Sequence, residues 1–457
     1  MSELLSHLSD IVGAAHLSTG AAISLDDTHD EALGMEPVTP LAVVRPGSTD
    51  EVAAVLAAAD AQRTPVTARG RGTGMSGACR PCADGIVVSF DRMNRILEID
   101  TANHTATVQP GVTLAELDEA TAAQGLVYEV FPGENSASLG GNVATNAGGM
   151  RAVKYGVTRH NVLGIEAVLP SGEVIRSGGK YVKSSSGYDL TQLVIGSEGT
   201  LALVTEATLQ LRPRLDHVAT VLAPFSTLDQ VTRAVPRIVA DGLGPMILEY
   251  IDFLTMAGAT AFVGLELGLP AEVTDNALAY LLVVLESRSE ERLAEDVEHC
   301  AALVTELGAM DVFVLPSAAG AKLVEAREKA FWLAKASNAD EIIDTVVPRA
   351  SISEFLTRAS ELATETGSLI AGCGHAGDGN VHLAIFQPDV EQRNAVLHRL
   401  FEIGMALGGA ISGEHGLGKQ KAHHFVALED PAKLALMRRI KAAFDPRGIL
   451  NPGTIYD

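Results

Sequence analysis

Hydrophobic residues fall along this chain in short runs, and the period of the runs changes in a regular order. Residues 41–44 (Leu-Ala-Val-Val) are apolar over the length of a buried strand. Ser48, with Glu51 three positions later, makes a capping box that opens a helix to about Ala61. Strands are then predicted at 65–68, 86–90, 96–99 and 105–108, and a helix at 112–124. Further strands are predicted at 162–169, 173–175 and 201–211. Arg212-Pro213-Arg214 breaks the series, because proline cannot continue a central strand. Beyond it come a strand at 217–222, a helix at 227–239 and a strand at 247–251. The same order recurs at 279–285, 290–307 and 312–315. Two such units predict an α+β sheet covered by helices on one face. A last helix is predicted at 431–444, followed by turns at Asp445-Pro446 and Asn451-Pro452-Gly453. The expected divisions are a leader helix and acidic loop at 1–35, then units at 36–214, 215–410 and 411–457.

At 457 residues the chain is long enough for two or three cores. Hydrophobic residues are 47% and charged residues 20%, an ordinary water-soluble mixture. The net charge of -23 excludes a nucleic-acid partner, which would need basic patches. No apolar run reaches the roughly 18–20 residues of a membrane span. The first seven residues lack the basic and apolar stretches of a secretory signal, so the expected location is the cytoplasm. Cys79, Cys82, Cys300 and Cys373 fit reduced thiols. Cys79 and Cys82 form one C-x-x-C without the second pair of a metal site; it reads as a loop, with a redox pair as the alternative.

The 44 glycines are unevenly placed. The first cluster is Arg69-Gly70-Arg71-Gly72-Thr73-Gly74-Met75-Ser76-Gly77, which contains a G-x-G-x-x-G string. A Rossmann site needs a helix straight after that string. Residues 78–85 are loop chemistry instead, so a nicotinamide dinucleotide site fails. Successive glycine amides can still wrap a pyrophosphate. A second cluster runs over 132–149, where paired glycines let backbone approach a flat ring. A third, around Glu198-Gly199, leads into an apolar strand.

Gly374-His375-Ala376-Gly377-Asp378-Gly379-Asn380-Val381-His382 places two imidazoles around a tight turn. Their spacing is not that of a helical zinc site, but a turn into a strand at 381–386 can bring both to one point. Two neutral imidazoles and a carboxylate leave a metal position open. Asp378 is a candidate to orient a ligand histidine, and Glu414, in Ser412-Gly413-Glu414-His415-Gly416, is the candidate carboxylate. His423 and His424 read as surface residues.

Together these motifs resemble the vanillyl-alcohol-oxidase and p-cresol-methylhydroxylase fold. The likeness is closest to the branch of D-lactate dehydrogenases, glycolate oxidase subunits and D-2-hydroxyglutarate dehydrogenases, and runs from about Pro37 to Thr454. It implies a two-subdomain FAD-binding domain at 36–214. An α+β substrate (cap) domain with an antiparallel sheet follows at 215–410. The segment 411–457, with Asn451, would return to the FAD. To FAD the resemblance assigns Arg69, Gly70, Arg71, Gly72, Thr73, Gly74, Met75, Ser76 and Gly77 from the first loop. From the second it assigns Pro132, Gly133, Ser138, Leu139, Gly140, Gly141, Asn146, Gly148 and Gly149, followed by Tyr155 and Gly156. The third contributes Glu198 and Gly199. The first loop has no histidine to tether the cofactor, so non-covalent FAD is expected.

The same resemblance implies a divalent metal, usually zinc, on His375, His382 and Glu414, with His415 as general base. Arg327 becomes the clamp for a substrate carboxylate and Phe331 a pocket wall; Arg349, which follows Asp344-Thr345-Val346-Val347-Pro348, is a candidate for a further positive charge. The implied reaction is oxidation of a D-2-hydroxy acid, by metal-assisted proton removal and hydride transfer to flavin N5. D-2-Hydroxyglutarate dehydrogenases tend to carry an asparagine and a lysine where this chain has Ala384 and Ile342. An unpaired second carboxylate would be costly there, so D-lactate is the expected substrate. Glycolate, D-2-hydroxyglutarate, or a role as the flavin subunit of a multi-chain oxidase are the alternatives. The expected partners are an electron acceptor (quinone, cytochrome, electron-transfer flavoprotein or iron–sulfur subunit) and a second copy of the chain.

Overall fold

The computed structural model describes residues 2–456. Strands Ala42–Val44, Ile86–Ser89 and Val66–Arg69 lie parallel and adjacent in that order, with Leu17–Ser18 antiparallel at the edge. Residues 42–44 and 86–88 read as unbroken apolar runs because a parallel sheet is buried on both faces. Helix Thr49–Gln62 packs Val52, Val55 and Leu56 onto this sheet, and helix Ser2–Val12 adds Leu4 and Leu8. Ser48 caps the former by accepting from the Glu51 amide at 3.2 Å. The acidic loop that follows the leader helix is not a solvated tether. Asp27 and Asp30 are buried, and Asp27 pairs with Arg45 at 2.7 Å.

A five-stranded antiparallel sheet carries Ile96–Asp100, Thr105–Val108, Leu203–Gln210, Val162–Val168 and Val174–Gly178 in that spatial order. Arg212–Pro213, expected as a plain break, pairs with Leu126–Val127 in a two-stranded ribbon. Proline is tolerated there because an isolated edge asks for no further amide donor.

The second half is one seven-stranded antiparallel sheet. Its order is Phe313–Leu315, His217–Phe225, Ala279–Ser287, Ile247–Asp252, Leu369–His375, Asn380–Phe386 and Glu341–Val346. Helices cover it on both faces, not one. Val221, Val283 and Leu248 pack with helices Leu228–Asp241, Ile352–Thr366 and Val390–Ala406. Leu222, Leu282 and Ile251 point the other way, towards helices Phe253–Val263 and Ser317–Glu328. The strand at 279–287 is apolar at almost every position for this reason, since both sides are buried.

The chain then returns to its beginning. Helix Pro431–Phe444 leads to Asn451, whose amide donates to the Val66 carbonyl at 2.7 Å. Among the described residues no helix is long and apolar enough to cross a membrane.

Candidate active site

The three glycine loops meet around one cavity. Residues 69–76 form one wall, Pro132, Ser138, Gly140, Gly141 and Gly148 a second, and Glu198, Gly199 and Asn451 a third. The approach of the first two loops is close enough to require glycine. A Cβ on Gly70 would stand 2.0 Å from Ser138 Oγ. Glu198 fastens the third loop to the C-terminal segment, accepting from the Leu417 and Gly418 amides at 2.9 and 2.8 Å. Asn451 Nδ2 donates to the Glu198 and Ala78 carbonyls.

Some residues expected at the cofactor do not line this cavity. Gly133 and Gly149 line the neighbouring cavity, and Gly77, Leu139, Asn146, Tyr155 and Gly156 line neither. Each has another task. Gly77 gives room to Met35, and Leu139 is buried in the core under the five-stranded sheet. Asn146 ends a helix in the left-handed conformation and accepts from the Arg159 amide. The Tyr155 hydroxyl donates to Glu286, and Gly156 turns the chain with φ 73°. Asp30, which sequence reasoning passed over as leader loop, lines the cavity and accepts from the Cys79 amide at 3.3 Å. Cys79 lines it too, and all four cysteines are free.

At the end of this cavity three histidines converge. Antiparallel pairing sets Gly374 against Val381 and Cys373 against His382, so a short turn puts His375 and His382 on the same sheet face. Their rings stand edge to face at 4.7 Å. Glu414 arrives from the C-terminal segment, its Oε1 3.1 Å from His375 Nε2 and 3.4 Å from His382 Nε2. Ligand atoms of the three residues all lie within 4.8 Å of one another.

The donor set fits a cation. His375 Nδ1 donates to Glu249 Oε1 at 2.8 Å, so its Nε2 lone pair is aimed at the Glu414 carboxylate. Two acceptors face each other stably only with a proton or a cation between them. Burial works against charge on His375, but the Glu249 and Glu414 carboxylates prevail and push its pKa up to about 10. His382 is the reverse: burial, then His375 and His415, hold it well below the usual imidazole range. Its Nε2 is buried without a hydrogen-bond partner, as a neutral ligand nitrogen would be.

The residue that orients His375 is Glu249, not Asp378. Asp378 accepts from the Asn380 amide and shapes the turn. Glu249 is fully buried, and its second oxygen lies 2.7 Å from Arg327 Nη2. That contact is poorly angled for a hydrogen bond, which leaves Arg327 Nε and Nη2 without acceptors. His415 is held by its backbone. Asp344 Oδ2 accepts from the amides of Gly413, Glu414 and His415 and from the Ser412 hydroxyl, at 2.8–3.0 Å. Burial lowers the His415 pKa, with Asp344 opposing, so the ring is neutral near pH 7.

A second cavity of 310 Å³ opens from the same spot. Met75, Pro132, Glu414 and His415 line both cavities. Arg327 and Phe331 line the second, and Trp332 stacks edge-on against Phe331 while donating to Glu134 at 3.3 Å. Arg349 does not reach either cavity; it starts a short 3-10 turn and is solvent-exposed. His424 is also not where expected. It is buried, 3.2 Å from His398, because its helix packs against Phe401.

Comparison with known proteins gives this geometry a context. Residues 40–178 match the FAD binding domain family, and residues 214–455 match the C-terminal domain of FAD linked oxidases. The chain is 58% identical over its whole length to an uncharacterized FAD-linked oxidoreductase of Mycobacterium tuberculosis, 99% of which is covered. It is 38% identical to a D-lactate dehydrogenase of Anaerostipes hadrus, over 95% of this chain and 94% of that one. Its fold is that of p-cresol methylhydroxylase, with a TM-score of 0.79 at 17% identity, over 99% of this chain and 96% of that one. The chain therefore belongs to the FAD-linked oxidoreductases, in the family of D-lactate dehydrogenases, glycolate oxidase subunits and D-2-hydroxyglutarate dehydrogenases.

Proposed function

We propose that this protein oxidises the α-hydroxyl of a D-2-hydroxy monocarboxylic acid to the 2-oxo acid. Non-covalent FAD is the acceptor, and a divalent metal, best zinc for two imidazoles and a carboxylate, sits on His375, His382 and Glu414. One observation carries the reading: Glu414 and His415 line both cavities, at the point where the glycine-loop groove meets the one holding Arg327. When bound, FAD supplies the two-electron acceptor and the metal a Lewis acid for the hydroxyl oxygen.

The chain's own residues do the rest. Arg327 offers free guanidinium donors to the substrate carboxylate. Neutral His415 accepts the hydroxyl proton; Asp344 holds the backbone that carries it. Glu249 fixes the His375 tautomer and limits how far Arg327 can swing. The D configuration and D-lactate as reference substrate are carried over from the D-lactate dehydrogenase relatives. Ile342 and Ala384 are register partners in the second cavity, and neither can pair with a second carboxylate. This favours a monocarboxylate over D-2-hydroxyglutarate.

The test is a screen of D- and L-2-hydroxy acids with a dye acceptor, before chelation, after it, and after zinc is restored. Turnover of D-acids that is lost and regained is the expected result. Full rate in protein verified free of metal would refute the metal's part, and failure of every 2-hydroxy acid would refute the substrate class.

A further inference from the structure

The cavity beyond the metal ligands is longer and more apolar than lactate requires. Side chains on a strand alternate faces, so His382, Ala384 and Phe386 share one face, and so do His375, Cys373, Ala371 and Leu369 next to them. These two rows form the floor of the second cavity. They run from the polar end at His382 to Phe386, about 13 Å at 3.3 Å per residue. Leu254, Leu333 and Ala334, from helices Phe253–Val263 and Ala330–Ala336, line the same cavity. Leu254 and Leu369 are 53% and 51% exposed, which marks an apolar mouth.

None of these far-end residues lines the glycine-loop cavity, so this end of the space lies away from the glycine loops. The volume of 310 Å³ is many times the roughly 10–15 Å³ needed to seat one water. Lactate, with about six non-hydrogen atoms, leaves much of this space unfilled. Its methyl group would reach only the first positions past His382. Arg327 stands at the polar end, and Glu328 is the other charged side chain of the helical wall. Burial pushes the Glu328 carboxyl up to about 7, against Arg151 and Arg327.

From this lane we infer that the preferred substrate is a 2-hydroxy acid with an extended apolar side chain, aliphatic or aromatic. The carboxylate sits on Arg327, the hydroxyl faces His415, and the side chain lies over Ala384 and Ala371 towards Phe386. The inference rests on the oxidation proposed above and adds the identity of the side chain. Ala384 and Ala371 are directly paired across the strands, so the floor is lowest where the chain must pass.

The experiment measures kcat/KM for glycolate, D-lactate, D-2-hydroxybutyrate, D-2-hydroxyhexanoate and D-3-phenyllactate with the wild-type holoenzyme and a dye acceptor. A rise of at least about tenfold from D-lactate to the longer acids is expected, from what one or more methylenes contribute in an apolar pocket. Ala384→Leu raises the floor and should cut the ratio of hexanoate to lactate back towards one. A wild-type profile that is flat, or that peaks at glycolate or D-lactate, overturns the inference and leaves the oxidation intact. Activity with none of the acids overturns both.

Discussion

Replacing Glu249 by glutamine separates the two jobs its carboxylate does. In the wild type this side chain is fully buried between His375 Nδ1 at 2.8 Å and Arg327 Nη2 at 2.7 Å. Glutamine keeps the shape and one acceptor oxygen but removes the charge. Arg327 cannot lose its proton, so its buried charge is left without its nearest counterion. Breaking a buried pair from one side costs about 3–5 kcal/mol. Loss of an outer partner to a ligand histidine typically costs about 10–100-fold in metal affinity or activity. Thermal melting, metal affinity by chelator competition, and kcat and KM together resolve these effects. The E249Q protein should melt lower, hold metal about 10–100-fold more weakly, and lose kcat. Saturating 2-hydroxy acid should raise its melting temperature more than it does for wild type, because the substrate carboxylate replaces the missing charge beside Arg327. A variant with wild-type metal affinity and melting would refute the claim that Glu249 organises both groups.

Three further outcomes follow. His415→Asn should lower kcat by about 10²–10⁴-fold while metal content and flavin absorbance stay as in wild type, read by single-turnover flavin reduction. Asp344→Asn should lower metal affinity and kcat together, because the Gly413 to His415 backbone and Lys421 lose their common anchor; rapid chelator release checks it. His424 supplies a pH test. Burial holds its folded-state pKa down at about 4, against about 6.5 unfolded, so the unfolded chain binds more protons between those values. Its contribution to stability is present above pH ~6.5 and is lost as pH falls towards 4. Urea midpoints of wild type and His424→Gln should therefore diverge to the wild type's disadvantage on acidification; parallel curves would show that His424 does not titrate in this window.

Much of the fold is written in periodicity. Ser48 and Glu51 announce the first long helix, and the apolar runs at 42–44 and 86–88 become buried parallel strands. The expectation of helices on one face of the large sheet failed at Ala279–Ser287, whose unbroken apolar run is itself the mark of burial on both sides. The meeting of His375 and His382 was legible because a Gly-rich turn into a strand can bring both imidazoles to one sheet face. Arg349 misled because proximity in sequence to Asp344 says nothing about direction: the proline before it turns the chain out to solvent. His424 misled in the opposite sense, since its polarity hid a helix face that packs against His398 and Phe401.

Glu249 and Asp344 were the real omissions, and they share one cause. Each acts on groups more than sixty residues away, so no spacing rule connects them to the histidines. Yet each sits inside an apolar strand, in Ile247-Leu248-Glu249-Tyr250-Ile251 and in Ile342-Ile343-Asp344-Thr345-Val346. A carboxylate at such a position is placed in the core by its neighbours and is tolerated only if something there pairs with it. Glu249 has Arg327 and His375, and Asp344 has Lys421 and a row of amides. In a chain with a candidate metal site, an acid interrupting a buried strand is therefore a pointer to the support of that site. The two carboxylates explain why His375 and His415 point as they do before any cofactor arrives. At His375 it is Glu249 together with Glu414 that favours a positive charge.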